Sequence, residues 1–375
     1  MKVIAVVLIA CLLFLSGCDI SVFLPASPTT PRTQPITSIP PSSHPPVTST
    51  SSPVVSTVTV APKSVIPDTP DSGLLITRQY HWEYGGSEWD WELNINQEFY
   101  DYYRELPRSP SKDYSVYVTH PHDDTYIDQL VDKLQSAADN KGYSDFETIE
   151  FTVAFVQSLP YVLDDVSTAF DEYPRYPVET LVDNGGDCED TSILMASIIN
   201  AMGYGVVLLH FAATETASGH VAVGVKGGEG IYGTYWTLDG AKYYYLETTG
   251  EGWGIGEIPE DYESARATIY EMKPVPILTH TWTTTGRPGY IDLEITVKNL
   301  GTATAQGVYV HAGFDAGDNM LWNSEKSPEF DLDMGEYATV TISLRVPEDK
   351  YTRLIVNTVD NGYSVYKTYS VWFDT

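Results

Sequence analysis

Glu179-Thr-Leu-Val-Asp-Asn-Gly-Gly-Asp-Cys-Glu-Asp-Thr191, continued by Ser192 to Gly203, is the stretch that decides how this chain folds. Asn184-Gly185-Gly186 has the composition of a turn. Asp187 is a good N-cap, because a carboxylate there accepts the unpaired N–H groups of a helix's first turn. Ile193, Leu194, Ile198, Ile199 and Met202 then recur at helical spacing, and Gly203 is placed to end the helix. Cys188 therefore falls in the first turn of a helix with a buried face.

Three strands follow that helix. Val206 to Phe211 is continuously apolar, His220 to Val225 alternates, and Tyr243 to Thr249 is aromatic and β-branched. Upstream, Asp124 to Asp139 and Phe146 to Leu159 have helical periodicity, the second closed by Pro160. Asn96 to Tyr103 reads as a short helix, and Trp89 to Ile95 as a half-buried strand whose tryptophans, with Trp82, belong to the core. A central helix followed by an antiparallel sheet is an α+β layout.

After Pro274-Val275-Pro276 the pattern changes. Ile291, Leu293, Ile295 and Val297 alternate with polar residues, as do Ala338, Val340, Ile342, Leu344 and Val346, and Asp360-Asn361-Gly362 reads as a hairpin turn. Strands and turns without a helix predict a small all-β sandwich over 276–375. At the other end, Lys2, the apolar run Val3 to Leu15 and Leu15-Ser16-Gly17-Cys18 read as an export signal over 1–17. Residues 18–73 are rich in Pro, Ser and Thr and almost uncharged, which predicts an extended, disordered stalk. The folded region is then expected at 74–272, with 74–143 as its N-terminal extension.

The chain has 375 residues, with 21 Lys and Arg against 51 Asp and Glu, a formal charge of −30. So acidic a protein is a poor partner for nucleic acid or anionic headgroups. Of three cysteines, Cys11 leaves with the signal and Cys18 begins the stalk, so Cys188 alone remains in the folded part. A lone thiol in an exported protein is either a small buried apolar group or a reactive nucleophile.

A helix's first turn favours a thiolate, and its N–H groups can hold an oxyanion. A thiol nucleophile also needs a base, and the base an orienting acceptor. His220 opens its strand after Ser218-Gly219, and Glu247 lies in the following one, so antiparallel pairing would make them neighbours. His210, inside an apolar run, is the poorer base. Asp187, Glu189 and Asp190 crowd the thiol with negative charge, which opposes its ionisation unless they point away. No metal-ligand spacing is recognisable.

Glu179 to Thr191 resembles the nucleophile segment of transglutaminase-like proteins, a papain-type thiol-hydrolase fold. Gly219-His-Val-Ala-Val-Gly224 resembles their histidine strand, and Tyr245-Leu-Glu-Thr-Thr249 their acid strand. The likeness extends through Phe155 to Tyr161, Tyr173 to Val178 and Ile255 to Pro259. It implies Cys188 as nucleophile, His220 as base and Glu247 as orienting acid, a position more often held by Asp. By analogy with papain-like enzymes Gln157 becomes a second oxyanion donor, against the plainer alternative of a helix-surface amide.

Leu15 to Cys18 resembles a lipobox, which implies a lipidated Cys18 holding the protein on the outer face of the cytoplasmic membrane. Val297 to Val308 resembles the start of immunoglobulin-like adhesion modules. Together these imply a surface-anchored cysteine peptidase, amidase or acyltransferase acting on protein or peptide substrates of the cell envelope, with hydrolysis favoured and no cofactor required. The alternative is a non-catalytic surface-binding protein that uses the same fold as a scaffold.

Overall fold

The expected alternation of apolar and polar residues first appears upstream of where folding was placed. The computed structural model describes residues 58–61, 73–164, 173–215, 217–228 and 230–375. The signal, Cys18 and most of the stalk lie outside the described residues. Val58–Ala61 is a strand, β1, paired antiparallel with a strand of the C-terminal sandwich. This corrects the stalk at that point. Its Val-Thr-Val-Ala sequence is β-favouring, and a sheet edge offers it unpaired N–H and C=O groups.

β2 (Leu75–Tyr84) and β3 (Ser87–Asn96) form a hairpin in which Trp82 and Trp91 are buried. Gly85 and Gly86 turn it with φ of 59° and 70°. Asn96 then accepts from the Glu98 N–H and caps α1 (Gln97–Glu105). Two further helices, α2 (Ser115–Val118) and α3 (Asp124–Lys141), complete the region before Ser144. Their buried residues belong to the same core as the later helices, so 74–143 packs into the core that surrounds the helix after Asp187.

Ser144 and Glu147 make a reciprocal capping box at the start of α4 (Asp145–Gln157). The next described helices are α5 (Pro177–Asp183) and α6 (Cys188–Ala201). Every residue of α6 from Glu189 to Ile199 is buried, so the expected stripe is in fact a whole buried circumference. The helix stops at Met202, and Gly203 follows with φ of 85°.

One face of α6 lies on an antiparallel sheet in the order β6-β7-β5-β4-β8. These strands are β4 (Val206–Phe211), β5 (His220–Gly227), β6 (Tyr235–Leu238), β7 (Ala241–Leu246) and β8 (Ala267–Glu271). The three expected strands are its centre, and β6 and β8 are edges the sequence did not announce. This is the α+β arrangement of a central helix packed on an antiparallel sheet.

The C-terminal region is all β. One sheet runs β1-β14-β10-β9, from β9 (Leu278–Arg287), β10 (Tyr290–Asn299) and β14 (Tyr337–Arg345). The facing sheet runs β12-β11-β16-β17, from β11 (Ala305–Asp315), β12 (Leu321–Lys326), β16 (Leu354–Asp360) and β17 (Tyr363–Tyr369), with β13 (Phe330–Leu332) also paired to β11 and the short β15 (Tyr351–Thr352) ahead of β16. Leu293, Ile342, Val310 and Val356 share one core between them. Asn361 and Gly362, with φ of 46° and 81°, turn the hairpin as their types predict. Among the described residues no helix is long and apolar enough to cross a membrane.

Gly224 stands opposite Val207 in the β4–β5 pairing, and a Cβ there would meet Val207 Cγ2 at 2.7 Å and Tyr243 Cβ at 3.2 Å. Gly224→Ala is expected to cost about 1–3 kcal/mol by overpacking. Urea unfolding measures it as a lowered midpoint with an unchanged slope.

Candidate functional site

The site forms where the first turn of α6 meets the ends of β5 and β7. Asp187 has extended backbone, and its N–H donates to Asp190 Oδ2 at 3.2 Å, which fixes the entry to the helix. That places Cys188 at the first helical position, where its own amide belongs to the unpaired first turn. The thiol is partly exposed. The Val221 backbone N–H reaches its sulfur, so Cys188 lies against the first residues of β5, beside His220.

His220 is buried, and its Nε2 is 3.0 Å from Glu247 Oε2 and 3.2 Å from the Tyr245 hydroxyl. Tyr262 stacks on the imidazole at 4.7 Å between centroids with planes 17° apart. The β5–β7 pairing ends at Val223 and Leu246, so Glu247 stands just past its strand and not within it, as the sequence had suggested. It still reaches His220.

Glu247 is held from both oxygens. Oε2 accepts from His220 and from the Tyr245 hydroxyl at 2.6 Å. Oε1 accepts from the Thr248 and Thr249 N–H groups at 3.0 Å each and from Thr249 Oγ1 at 2.7 Å. Burial opposes the charge, but His220, Tyr245 and Thr249 together hold its carboxyl down at about 2. An ionised Glu247 accepts an N–H from Nε2. The tautomer this selects leaves the ring's lone pair on Nδ1.

Tyr245 lies two residues before Glu247 on extended chain, so alternation turns both side chains to one side, a signal present in the sequence.

Gln157 does not serve as an oxyanion donor. Its Nε2 donates to the Glu247 carbonyl at 2.8 Å and the Trp253 carbonyl at 3.0 Å, and its Oε1 accepts from Gly252 N–H at 3.1 Å. Nor is it a surface amide, being 5% exposed. It ties α4 to the loop that follows β7, so its contribution is to position Glu247. A cavity of about 810 Å³ lies along that loop, lined by Trp82, Gln157 and Trp253, and Cys188 is outside it.

The acids around the thiol divide into two groups. Asp190 turns inward and pairs with Arg175, whose guanidinium also meets Asp164 at 3.0 Å and Asp183 at 3.2 Å. Burial works against the charge of Arg175, but those carboxylates hold its pKa above the ordinary value. Glu189 turns the other way and accepts the Cys188 S–H at 3.3 Å.

Burial and the Glu189 charge push the thiol well up, against the pull of the Val221 amide. Burial, with the Glu189 charge beside it, thus outweighs the pull of the helix terminus at this thiol. Asp187 is pushed up to about 8 by burial and by Glu189. One oxygen from each of Asp164, Asp187 and Glu189 lies within 4.8 Å of the others. This grouping was invisible in the sequence, because Asp164 comes from the end of another segment.

Residues 129–256 match a family model described as a transglutaminase-like domain. No curated protein sequence matches the chain. Among solved structures the chain is similar to Legionella pneumophila LapG in an EGTA-treated form, with 19% identity over 45% of this chain and 85% of that one, TM-score 0.29. It is also similar to a TGase, with 15% identity over 50% and 47%, TM-score 0.26. The CARDB domain of a Pyrococcus furiosus protein, in complex with di-metal ions, gives 17% identity over 25% and 85%, TM-score 0.19.

Glu247 gives stability a sign that can be tested. Its carboxyl lies at about 2 in the fold against an ordinary 4.5, so its contribution is present above pH 4.5 and lost as pH falls from there towards 2. Glu247→Gln is expected to lower stability at pH 7 by about 2–4 kcal/mol. The difference should narrow as pH falls below 4.5 in paired denaturation curves, and a gap that stays constant down to pH 3 would contradict the assignment.

Proposed function

Because residues 129–256 match a family model described as a transglutaminase-like domain, we propose that the chain is a thiol enzyme acting on amide bonds, with Cys188 as nucleophile, His220 as base and Glu247 as orienting acid. The observation that carries this is the His220–Glu247 pair, 3.0 Å apart, beside a thiol held against the start of the same strand. Cys188 Sγ attacks the carbonyl carbon of the bound amide while His220 Nδ1 takes the thiol proton. The Cys188 amide, in the open first turn of α6, is the donor offered to the oxyanion.

The proton then passes from His220 to the departing amine as the C–N bond breaks, leaving an acyl-thioenzyme. Water, deprotonated by His220, attacks the thioester and releases the acid. An amine in place of water would give transfer, and hydrolysis is the favoured outcome. Substrates are proteins or peptides of the cell envelope. Export, lipid attachment at Cys18 and a place on the outer face of the cytoplasmic membrane belong to the same proposal and rest on the sequence. The C-terminal sandwich would hold the enzyme to a partner or set its distance from the membrane.

One observation favours the second reading, a non-catalytic scaffold. The thiol is tied to Glu189 and its pKa is raised. The two separate on a single assay, in which the full-length protein is incubated with a mixed peptide library and quenched in acid. An enzyme releases new carboxyl termini or ammonia and leaves an acyl adduct on Cys188 by mass spectrometry. Cys188→Ala and His220→Ala should each lose at least about a thousandfold in rate. No adduct and no product from the parent would decide for the scaffold.

A further inference from the structure

Among the described residues β2 and β3 pair only with each other, so each keeps a free edge. Their two-residue turn at Gly85 and Gly86 makes Tyr84 and Ser87 a hydrogen-bonded pair, and by alternation Trp82 and Trp89 are bonded as well. His81 and Glu83 therefore aim their backbone N–H and C=O groups away from β3. Among the described residues no other segment takes up those groups. That edge faces the cavity of about 810 Å³ along the loop after β7. His81 to Tyr84 line it in an unbroken run, whereas among the described residues none of β3 does.

The other two walls are one face of α4, at Glu150, Ala154 and Gln157, and the loop from Glu251 to Gly254. Each wall carries a carboxylate, Glu83, Glu150 or Glu251, and among the described residues no lysine or arginine lines the cavity. Glu83 also stands directly opposite Glu88 in the hairpin, a like-charge pair that a cation would relieve. Trp253, half-buried on the loop, adds an aromatic ring of the kind that attracts cations.

We propose that this cleft binds an extended, lysine-bearing peptide segment, which adds as a strand to the free edge of β2. Unpaired main-chain groups favour a peptide over a small cation, because they are the template that strand addition uses. An added strand turns every second side chain to the same face, so lysines at that spacing meet the acids together. The volume falls in the range of about 300–1,000 Å³ usual for ligand clefts. Cys188 is outside the cleft, so the segment is held apart from the thiol. Gln157 links the two places, bonding to the Glu247 carbonyl on one side and to Gly252 and Trp253 on the other. The cleft depends on the fold alone and stands or falls separately from the proposed chemistry of Cys188.

The test titrates full-length protein, by calorimetry at low salt, with an acetylated and amidated hexapeptide that alternates lysine and valine. One peptide per chain is expected, with a dissociation constant below about 1 mM that rises as salt is added. Two isomers N-methylated on alternate amides separate strand pairing from charge attraction. One isomer should bind at least about tenfold more weakly, while the other keeps the affinity of the unmethylated peptide. Glu83→Gln combined with Glu251→Gln should weaken binding by at least about fivefold. Glu325→Gln combined with Glu329→Gln, on the sandwich, should leave it unchanged. His81→Pro removes an edge N–H without breaking the β2–β3 ladder and should weaken binding as methylation does. Circular dichroism checks each variant, and if His81→Pro does not fold, the methylated isomers carry that comparison. Cys188→Ala should bind as the parent does, so a dead enzyme and an empty cleft give different results. No saturable binding by the parent would overturn the proposal. So would isomers of equal affinity, spermidine binding as well as the peptide, or a loss in the sandwich variant equal to that in the cleft variant. Each of these leaves only attraction to the acidic surface.

Discussion

Arg175 is a fully buried cation, with 1% of its side chain exposed, and it is bonded to carboxylates from three separate segments. Asp190 comes from α6, Asp183 from the end of α5, and Asp164 from the chain after α4. A guanidinium cannot shed its proton at any ordinary pH, so burying one commits the surrounding chain to bring acids to it. Those acids define the turn that presents Cys188. The Asp190 carboxylate that meets Arg175 also receives the Asp187 N–H, so the charge pair and the helix cap are one structure. The position of Cys188 thus depends on an ion pair that is not itself part of the proposed chemistry.

The same economy governs His220. Its acid partner, Glu247, lies just beyond the last paired residue of β7, and the chain compensates locally. Two backbone amides and a threonine hydroxyl hold one oxygen, while a tyrosine hydroxyl and the imidazole hold the other. Each of these donors favours the charged form, which explains why burial fails to raise this carboxyl. At Asp187 and Glu189, a few residues away in the fold, carboxylates face each other with few donors, and burial wins. One small volume therefore holds acids driven in opposite directions by their hydrogen-bond partners.

Local patterns made much of this legible. The cap at Asp187, the apolar repeat behind it and Gly203 marked the helix, while a continuous apolar run marked β4, alternation marked β5, and aromatic and β-branched residues marked β7. The candidate triad was named from three short motifs, and the structure brings His220 and Glu247 into contact and sets Cys188 beside their strand. What the sequence did not show are relations that exist only across the fold. The partners of Gln157 lie some ninety residues away at Glu247, Gly252 and Trp253, so no window around α4 could reveal them. Asp164 meets Asp187 and Glu189 through space. The edge strands β6 and β8 are short and only partly buried, leaving a weak pattern, and β1 disappeared into the average composition of a Pro/Ser/Thr tract.

That small strand has a mechanical consequence. β1 pairs with β14 from Val58 opposite Val340 to Ala61 opposite Tyr337, well before the chain enters β2. Tension applied to the chain ahead of Val58 is thus borne first by hydrogen bonds to the sandwich, and the sheet under Cys188 is spared. Should that clip give way, load would pass along the chain towards β2 and the first hairpin. The strand would act as a fuse, yielding at the C-terminal module while the surroundings of Cys188 stay unloaded.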